Sequence, residues 1–198
     1  IKIASGEITN LPYLRIVGNL GKPIILSTGM SKISEIDEAV EVVRNTGNQN
    51  LILLHCNSAY PSNYAEMNLK FIDTLKKMYD VPIGLSDHTT DLLACKVAIS
   101  RGCTVIEKHF TLSKTMEGPD HILSSDLKEM TELVDNVENI NLLLGDGIKK
   151  IQPNEYVTLN AQKKSLYSLK NIKKGEIFSE KNICVKGPSG GIFPNFKK

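Results

Sequence analysis

Five short apolar runs, each followed by a stretch of helical periodicity, constrain this chain more than any other feature. The runs lie at 1–4, 23–27, 51–55, 82–86 and 104–109. Residues 33, 36, 40 and 43 share one helix face within 32–45, and residues 92, 93, 97, 98 and 99 do so within 91–101. Further helices are expected near 11–19, 68–79 and 126–144, the last with Leu127, Met130, Leu133, Val137, Ile140 and Leu144 on one face. Ser31 is the expected N-cap of the 32–45 helix, and Ser124 or Ser125 that of the 126–144 helix. Strand, helix, strand in this order makes parallel neighbours joined by crossovers. Continuous apolar runs are the mark of a parallel sheet covered on both faces. No GxGxxG or GxxxxGKS/T motif follows any run, which counts against a nucleotide-binding sheet. The units fit part of a (β/α)8 barrel or part of a doubly wound sheet. A whole barrel takes about 250 residues, so the barrel reading makes this α/β chain a partial (β/α)8 barrel.

Composition narrows the partners. Hydrophobic residues make up 41% and charged residues 23% of the chain, as in an ordinary globular protein. A net charge of +2 gives no electrostatic case for nucleic acid or a membrane surface. No apolar run approaches the roughly 18 residues of a membrane span, and no signal peptide is visible. Cys56, Cys95, Cys103 and Cys184 form no CxxC pair and sit in or beside apolar segments. They read as buried free thiols in a reducing compartment, hence a cytoplasmic location. The chain opens on Ile1 directly in a strand and closes on Phe196-Lys197-Lys198 after a Gly/Pro turn. It is expected to be a fragment of a longer protein. Beyond about 150 the pattern changes. Residues 1–148 are expected to form the barrel part, 149–164 a linker, and 165–198 the start of a small second domain with β-type runs at 165–169, 172–176 and 183–186.

Polar residues gather at the C-terminal ends of the runs, the edge where α/β enzymes put their chemistry. They are Lys2, Ser5 and Glu7; Ser27 and Thr28; His55, Asn57 and Ser58; Ser86, Asp87 and His88; Glu107 and His109. A lysine with serine hydroxyls suits a phosphate or carboxylate. Two histidines at one sheet edge suit a borderline divalent metal with positions open to substrate. Glu7 and Asp120 suit sugar hydroxyls or acid–base work. Taken singly, each has a plainer reading. A serine at a strand end is more often a turn or cap residue, and a histidine there more often bonds the backbone. His55 lies inside its apolar run and reads as structural. The coincidence at five strand ends favours the functional reading.

Several strings resemble the sialic acid synthase family. They are Ser5-Gly6-Glu7-Ile8-Thr9-Asn10-Leu11-Pro12-Tyr13-Leu14, Leu26-Ser27-Thr28-Gly29-Met30, Leu54-His55-Cys56-Asn57 with Tyr60-Pro61, Leu85-Ser86-Asp87-His88-Thr89, Glu107-Lys108-His109-Phe110-Thr111 and Gly118-Pro119-Asp120-His121. The resemblance implies barrel strands four to eight followed by the start of an antifreeze-like domain. It also implies a domain-swapped homodimer when full length. The implied reaction condenses phosphoenolpyruvate with an N-acylated mannosamine to a sialic acid and phosphate. A legionaminic acid synthase acting on a 2,4-diacetamido-trideoxy hexose, or an inactive sugar-binding fragment, are the alternatives. By resemblance, His88 and His109 are ligands of Mn2+ or Mg2+, and Lys2, Ser5, Ser27, Ser58 and Ser86 contact phosphoenolpyruvate. Glu7, Tyr60 and Asp120 contact the sugar by the same resemblance, and Glu7 joins the two histidines as catalytic. The family usually has Lys-Arg-Pro where this chain has Lys186-Gly187-Pro188.

Overall fold

A computed structural model describes residues 1–196. The chain divides into two compact units, Ile1–Gly145 and a second beginning at Asp146. In the first, five strands form one parallel sheet in sequence order: β1 Lys2–Ile3, β2 Ile24–Ser27, β3 Leu51–Cys56, β4 Ile83–Asp87 and β5 Val105–Lys108. The crossovers carry α1 Leu11–Asn19, α2 Ile33–Asn45, α3 Phe71–Met78 and α4 Leu93–Ser100, and α5 Leu127–Leu144 follows β5. The strands follow sequence order with no reversal, which is part of a barrel rather than of the doubly wound sheet that the alternation also allowed. The register Leu26↔Leu53 and Leu53↔Ile83, with Leu85↔Ile106 beyond, sets one row of side chains toward the helices. Leu26, Leu53 and Leu85 are fully buried there with Leu14, Ile36, Val40 and Leu75 from α1, α2 and α3. Burial of each such side chain contributes about 1.5–3 kcal/mol.

The opposite row behaves differently. Ile25, Ile52 and Val105 are only half-buried. Leu54 on the same row is fully buried, so the expectation of a sheet covered on both faces holds fully on the helix side and only in part on this one. Gly84 marks the tightest approach between strands. A Cβ there would press on the Val105 carbonyl and the Leu54 side chain, so the β4–β5 spacing requires glycine.

Three helix starts differ from expectation. The residue preceding α2 is Lys32, whose N–H donates to Glu35 Oε2 at 2.7 Å, while the Ser31 hydroxyl turns back to the Gly29 carbonyl. Asp126, not Ser124 or Ser125, caps α5; it accepts from Glu129 N–H, and Glu129 accepts from Asp126 N–H, a capping box. The α3 helix starts only at Phe71, because Asn68 takes a left-handed φ of 42°. On α5, Leu133 is buried and Met130 and Ile140 partly so, packed with Leu92, Cys95 and Ile99. Leu127, Val137 and Leu144 stay exposed, as does Ile33 on α2.

In the second unit, Ser165–Ser168 and Ile183–Lys186 form an antiparallel pair, β6 and β7. The 172–176 run is not a strand. Gly175, at φ 88°, closes a turn in which Glu176 N–H donates to the Lys173 carbonyl. The expected linker holds a short helix, α6 Tyr156–Gln162, exposed along nearly its whole length. Lys197 and Lys198, the last residues of the expected small domain, lie outside the described residues. All four cysteines are free thiols; Cys56 and Cys95 are buried, Cys103 and Cys184 half-buried. No described helix is long and apolar enough to cross a membrane.

Candidate active site

Side chains alternate along a strand, so the residues sharing the inner row at the C-terminal edge follow from the register. Lys2 pairs with Ile25, Cys56 with Ser86, and Ser86 with Glu107. Ser27 belongs to the same row, and His88 and His109 continue it one step past Asp87 and Lys108. These residues, with Ser5, Ser58 and Tyr60 from the following loops, line one cavity of about 320 Å3. Eight of the sequence-predicted residues therefore meet in one place: Lys2, Ser5, Ser27, Ser58, Tyr60, Ser86, His88 and His109.

The histidines form the centre. Their ring centroids are 5.3 Å apart, and the Tyr60 ring lies 4.1 Å from His88 and 5.8 Å from His109. His88 Nδ1 lies 2.7 Å from the Asn57 carbonyl. A carbonyl only accepts, so Nδ1 carries the proton and Nε2 is left with a free lone pair. Burial pushes the His88 pKa down, but the Cys56 thiol, the Asn57 carbonyl and the charge of Asp87 outweigh it, and the net shift is upward. Burial likewise pushes the Cys56 thiol up; hydrogen bonds with His88, Ser5 and Ser58 reverse this and leave it below its ordinary value. His109 Nδ1 is 3.8 Å from Asp120 Oδ2, so Asp120 stands at the edge of the pair rather than in the cavity lining.

The side lined by Lys2 and the serines is equally well defined. The Ser86 hydroxyl donates to Glu107 Oε1 at 2.7 Å, and Lys2 Nζ lies 3.5 Å from the same oxygen. Ser5 Oγ accepts from Gly29 N–H at 2.9 Å. A Cβ on Gly29 would overlap Ser58 Oγ and come within 2.8 Å of Ser5 Oγ, so glycine is required where these hydroxyls converge. Ser27 is 2% exposed and its hydroxyl has no partner among the described residues. An orphaned hydroxyl facing a polar cavity calls for a ligand acceptor.

Two expectations fail on direction. Glu7 is exposed, outside the cavity, and accepts from the Asn10 side chain at 2.7 Å. It follows β1 in a 3-10 turn, so the strand's alternation does not carry it inward. Asp87 occupies the row facing the helices. Thr28 donates its hydroxyl to the Leu54 carbonyl, and His55 Nε2–H donates to the Met67 carbonyl at 2.6 Å, a structural role as read. Cys56 lines the cavity without having been expected there, and Glu107, counted among the strand-end polar residues, lines it without an expected role. The i, i+2 relation of Glu107 to His109 was the available signal, and Cys56 follows from its pairing with Ser86. A larger groove of about 980 Å3 adjoins this cavity, sharing Met30, Cys56 and Ser58, but neither His88 nor His109 lines it. The smaller cavity holds the convergent chemistry.

Two imidazoles, one with a fixed tautomer and a free nitrogen, fit a divalent metal held by two protein ligands. Among the described residues, no cluster of three or more His, Cys, Asp or Glu could hold one. The remaining positions would be filled by water and substrate.

Comparison with known proteins places the chain in a family. The chain is 48% identical over 193 residues to the N,N'-diacetyllegionaminic acid synthase of Campylobacter jejuni, covering 96% of this chain and 58% of the relative. It is 42% identical over 196 residues to a pseudaminic acid synthase of the same species, covering 98% of this chain and 57% of the relative. The solved N-acetylneuraminic acid (sialic acid) synthetase of Leptospira borgpetersenii, in complex with citrate, superposes with a TM-score of 0.73 at 39% identity, over 80% of this chain and 55% of that one. The chain thus spans somewhat more than half the length of these proteins. A profile described as the NeuB family matches residues 1–149. The chain belongs to the NeuB family, whose members similar to it are named as synthases of sialic-acid-type sugars.

Proposed function

We propose that the protein condenses phosphoenolpyruvate with an N-acylated amino sugar in its open-chain aldehyde form, giving a nine-carbon 2-keto sugar acid and phosphate. The observation that carries this reading is one cavity holding an unpartnered buried hydroxyl, Ser27, and a lysine, Lys2, beside a two-histidine centre. Lys2, Ser5, Ser27 and Ser86 hold the phosphate and carboxylate, with Ser58 beside them. The Ser27 hydroxyl finds in that anion the acceptor it lacks in the protein. Carbon 3 of phosphoenolpyruvate attacks the aldehyde carbon, whose oxygen takes up a proton. Water adds at carbon 2, and the tetrahedral intermediate expels phosphate to leave the ketone.

His88 and His109 would hold the metal, which supplies Lewis-acid polarisation of the aldehyde. Imidazole ligands favour Mn2+ over Mg2+, which prefers an all-oxygen shell. Asn57 orients His88 through Nδ1, and Tyr60 covers both rings. Asp120 reaches the sugar hydroxyls from beside His109. Glu7, which lies outside the cavity lining, is given no step in this reading.

N-acetylmannosamine and a 2,4-diacetamido-trideoxy hexose are the two acceptors. The 48% identity to the legionaminic acid synthase favours the second. The second unit is read as part of an antifreeze-like domain that caps the partner's barrel in a homodimer. Gly187 there leaves out the arginine this family usually presents. A cytoplasmic location follows from the substrates and the free thiols.

Phosphate release from phosphoenolpyruvate, measured for the full-length enzyme with Mn2+ and either sugar, tests the proposal. Release requires a sugar, and His88→Ala lowers it at least 100-fold. Phosphoenolpyruvate binding without turnover would support a binding module instead, and no binding at all would overturn the reading.

A further inference from the structure

We propose that Asp87 and Lys108 form a positioning device that fixes His88 against His109 from the far side of the sheet. This rests on the two-histidine site above and adds residues that take no part in binding substrate. Asp87 and Lys108 are the last paired residues of the β4–β5 ladder. Past them the strands separate: the His88 carbonyl accepts from Ser62 N–H, and the His109 carbonyl from Ser125 N–H. The two histidines therefore stand on strand ends that no longer bond to each other.

The side chains of the last pair supply the missing tie. Lys108 Nζ donates to Asp87 Oδ2 at 2.8 Å and to the Thr89 carbonyl at 2.6 Å. It thus grips both residues that flank His88, while itself preceding His109. Asp87 closes the loop around His88 by accepting from Thr89 N–H and the Thr89 hydroxyl, each at 3.0 Å. The Cys95 thiol of α4 donates to the same carboxylate at 3.2 Å. The Lys108 and Asp87 side chains are 1% and 0% exposed.

Stability does not require such a pair. Two well-packed apolar residues of similar volume commonly do as well as a buried ion pair, because desolvation cancels much of the attraction. What an apolar pair cannot do is set direction: it has no donors to hold the Thr89 carbonyl and no acceptor to fix the turn at His88. Residues that orient metal-ligating histidines typically change metal affinity by about 10- to 100-fold when replaced.

The test replaces both charges together, Asp87→Leu with Lys108→Met, in the full-length protein. Mn2+ binding is measured by calorimetry, and the His88 Nδ1–H signal by NMR on metal-free protein with 15N-labelled histidine. The expected result is a folded protein whose Mn2+ affinity falls about 10- to 100-fold and whose Nδ1–H signal weakens through exchange with water. Lys96→Met, which breaks the exposed Lys96–Glu132 pair between α4 and α5, leaves both unchanged. An unchanged affinity and Nδ1–H signal in the double variant would overturn the proposal and leave the pair a packing element. If the double variant fails to fold, Asp87→Asn is read in the same way. If the parent shows no His88-dependent Mn2+ binding, the metal reading falls, and the Nδ1–H signal alone decides the positioning role.

Discussion

The last two rungs between β4 and β5 carry two polar pairs, and the pairs do opposite things. Ser86 and Glu107 face the cavity, with the Glu107 side chain 40% exposed. Asp87 and Lys108 sit one residue further along, face the helices, and are sealed. The inner pair leaves capacity for a ligand, since Lys2 approaches Glu107 loosely and the nearby Ser27 hydroxyl is unpartnered. The outer carboxylate is satisfied by four donors. The difference teaches that polarity at a strand end does not announce function. The direction of the side chain decides whether a polar group waits for a ligand or holds the frame.

The largest expected effect comes from breaking the outer pair on one side. Lys108→Met leaves an uncompensated buried carboxylate and should cost about 3–5 kcal/mol. For a unit of this size that lowers the melting midpoint by roughly 6–20 °C. Glu107→Gln on the inner face should cost below about 1 kcal/mol, as for other partly exposed ion pairs. Thermal unfolding of both variants checks this, and equal losses would erase the distinction between the faces.

That distinction was partly legible in the sequence. The five strands and their helices fall within a few residues of their expected bounds, because periodicity is a property of the chain itself. The eight cavity residues were legible because parallel strands bring their C-terminal ends to one edge. Glu7 falls outside the cavity lining because it lies in a 3-10 turn, where strand alternation no longer applies. Asp87 was grouped with His88 by adjacency, although neighbours on a strand face opposite ways. The caps of α2 and α5 were misplaced by one or two residues because several polar residues precede each helix, and only geometry selects one. The exposed face of α5 was not legible, since a stripe of apolar residues does not say how much of it finds a partner.

A smaller effect tests the inner face directly. Ser27 and Ser125 both have buried hydroxyls without partners among the described residues, but only Ser27 lines the cavity. Ser27→Ala should leave the melting midpoint unchanged or slightly raised, because a hydroxyl with no bond in the free protein contributes no stability. It should weaken phosphoenolpyruvate binding by about 0.5–1.5 kcal/mol, the value of one neutral hydrogen bond. Ser125→Ala should leave binding untouched. Calorimetric titration of phosphoenolpyruvate into the three proteins checks this, and equal affinity for Ser27→Ala and the parent would remove Ser27 from the anion site.

The smallest effect lies on the helix side of β3, where His55 is the counterpart of His88. Burial pushes the His55 pKa below its ordinary value, and the bond to the Met67 carbonyl only partly offsets this. His55 is 8% exposed and packs edge-on against Phe71, at 5.5 Å between ring centroids. In the folded protein it therefore stays neutral below the pH at which the unfolded chain takes up its proton, about 6.5. Where the unfolded state binds more protons, stability rises with pH. The contribution of His55 is thus complete above about pH 6.5 and is lost as pH falls from there toward the lowered folded value. One proton limits the slope to about 1.4 kcal/mol per pH unit. His55→Leu removes the titrating group along with the Met67 bond. The variant should be less stable than the parent at pH 7.5, and the gap should narrow between pH 6.5 and 5 as the parent alone loses this contribution. Urea unfolding of both proteins across that range measures the gap. A gap that stays constant would mean that the ring is protonated as readily in the fold as out of it. His55 would then not be the neutral, frame-holding histidine that separates the helix side from the cavity side.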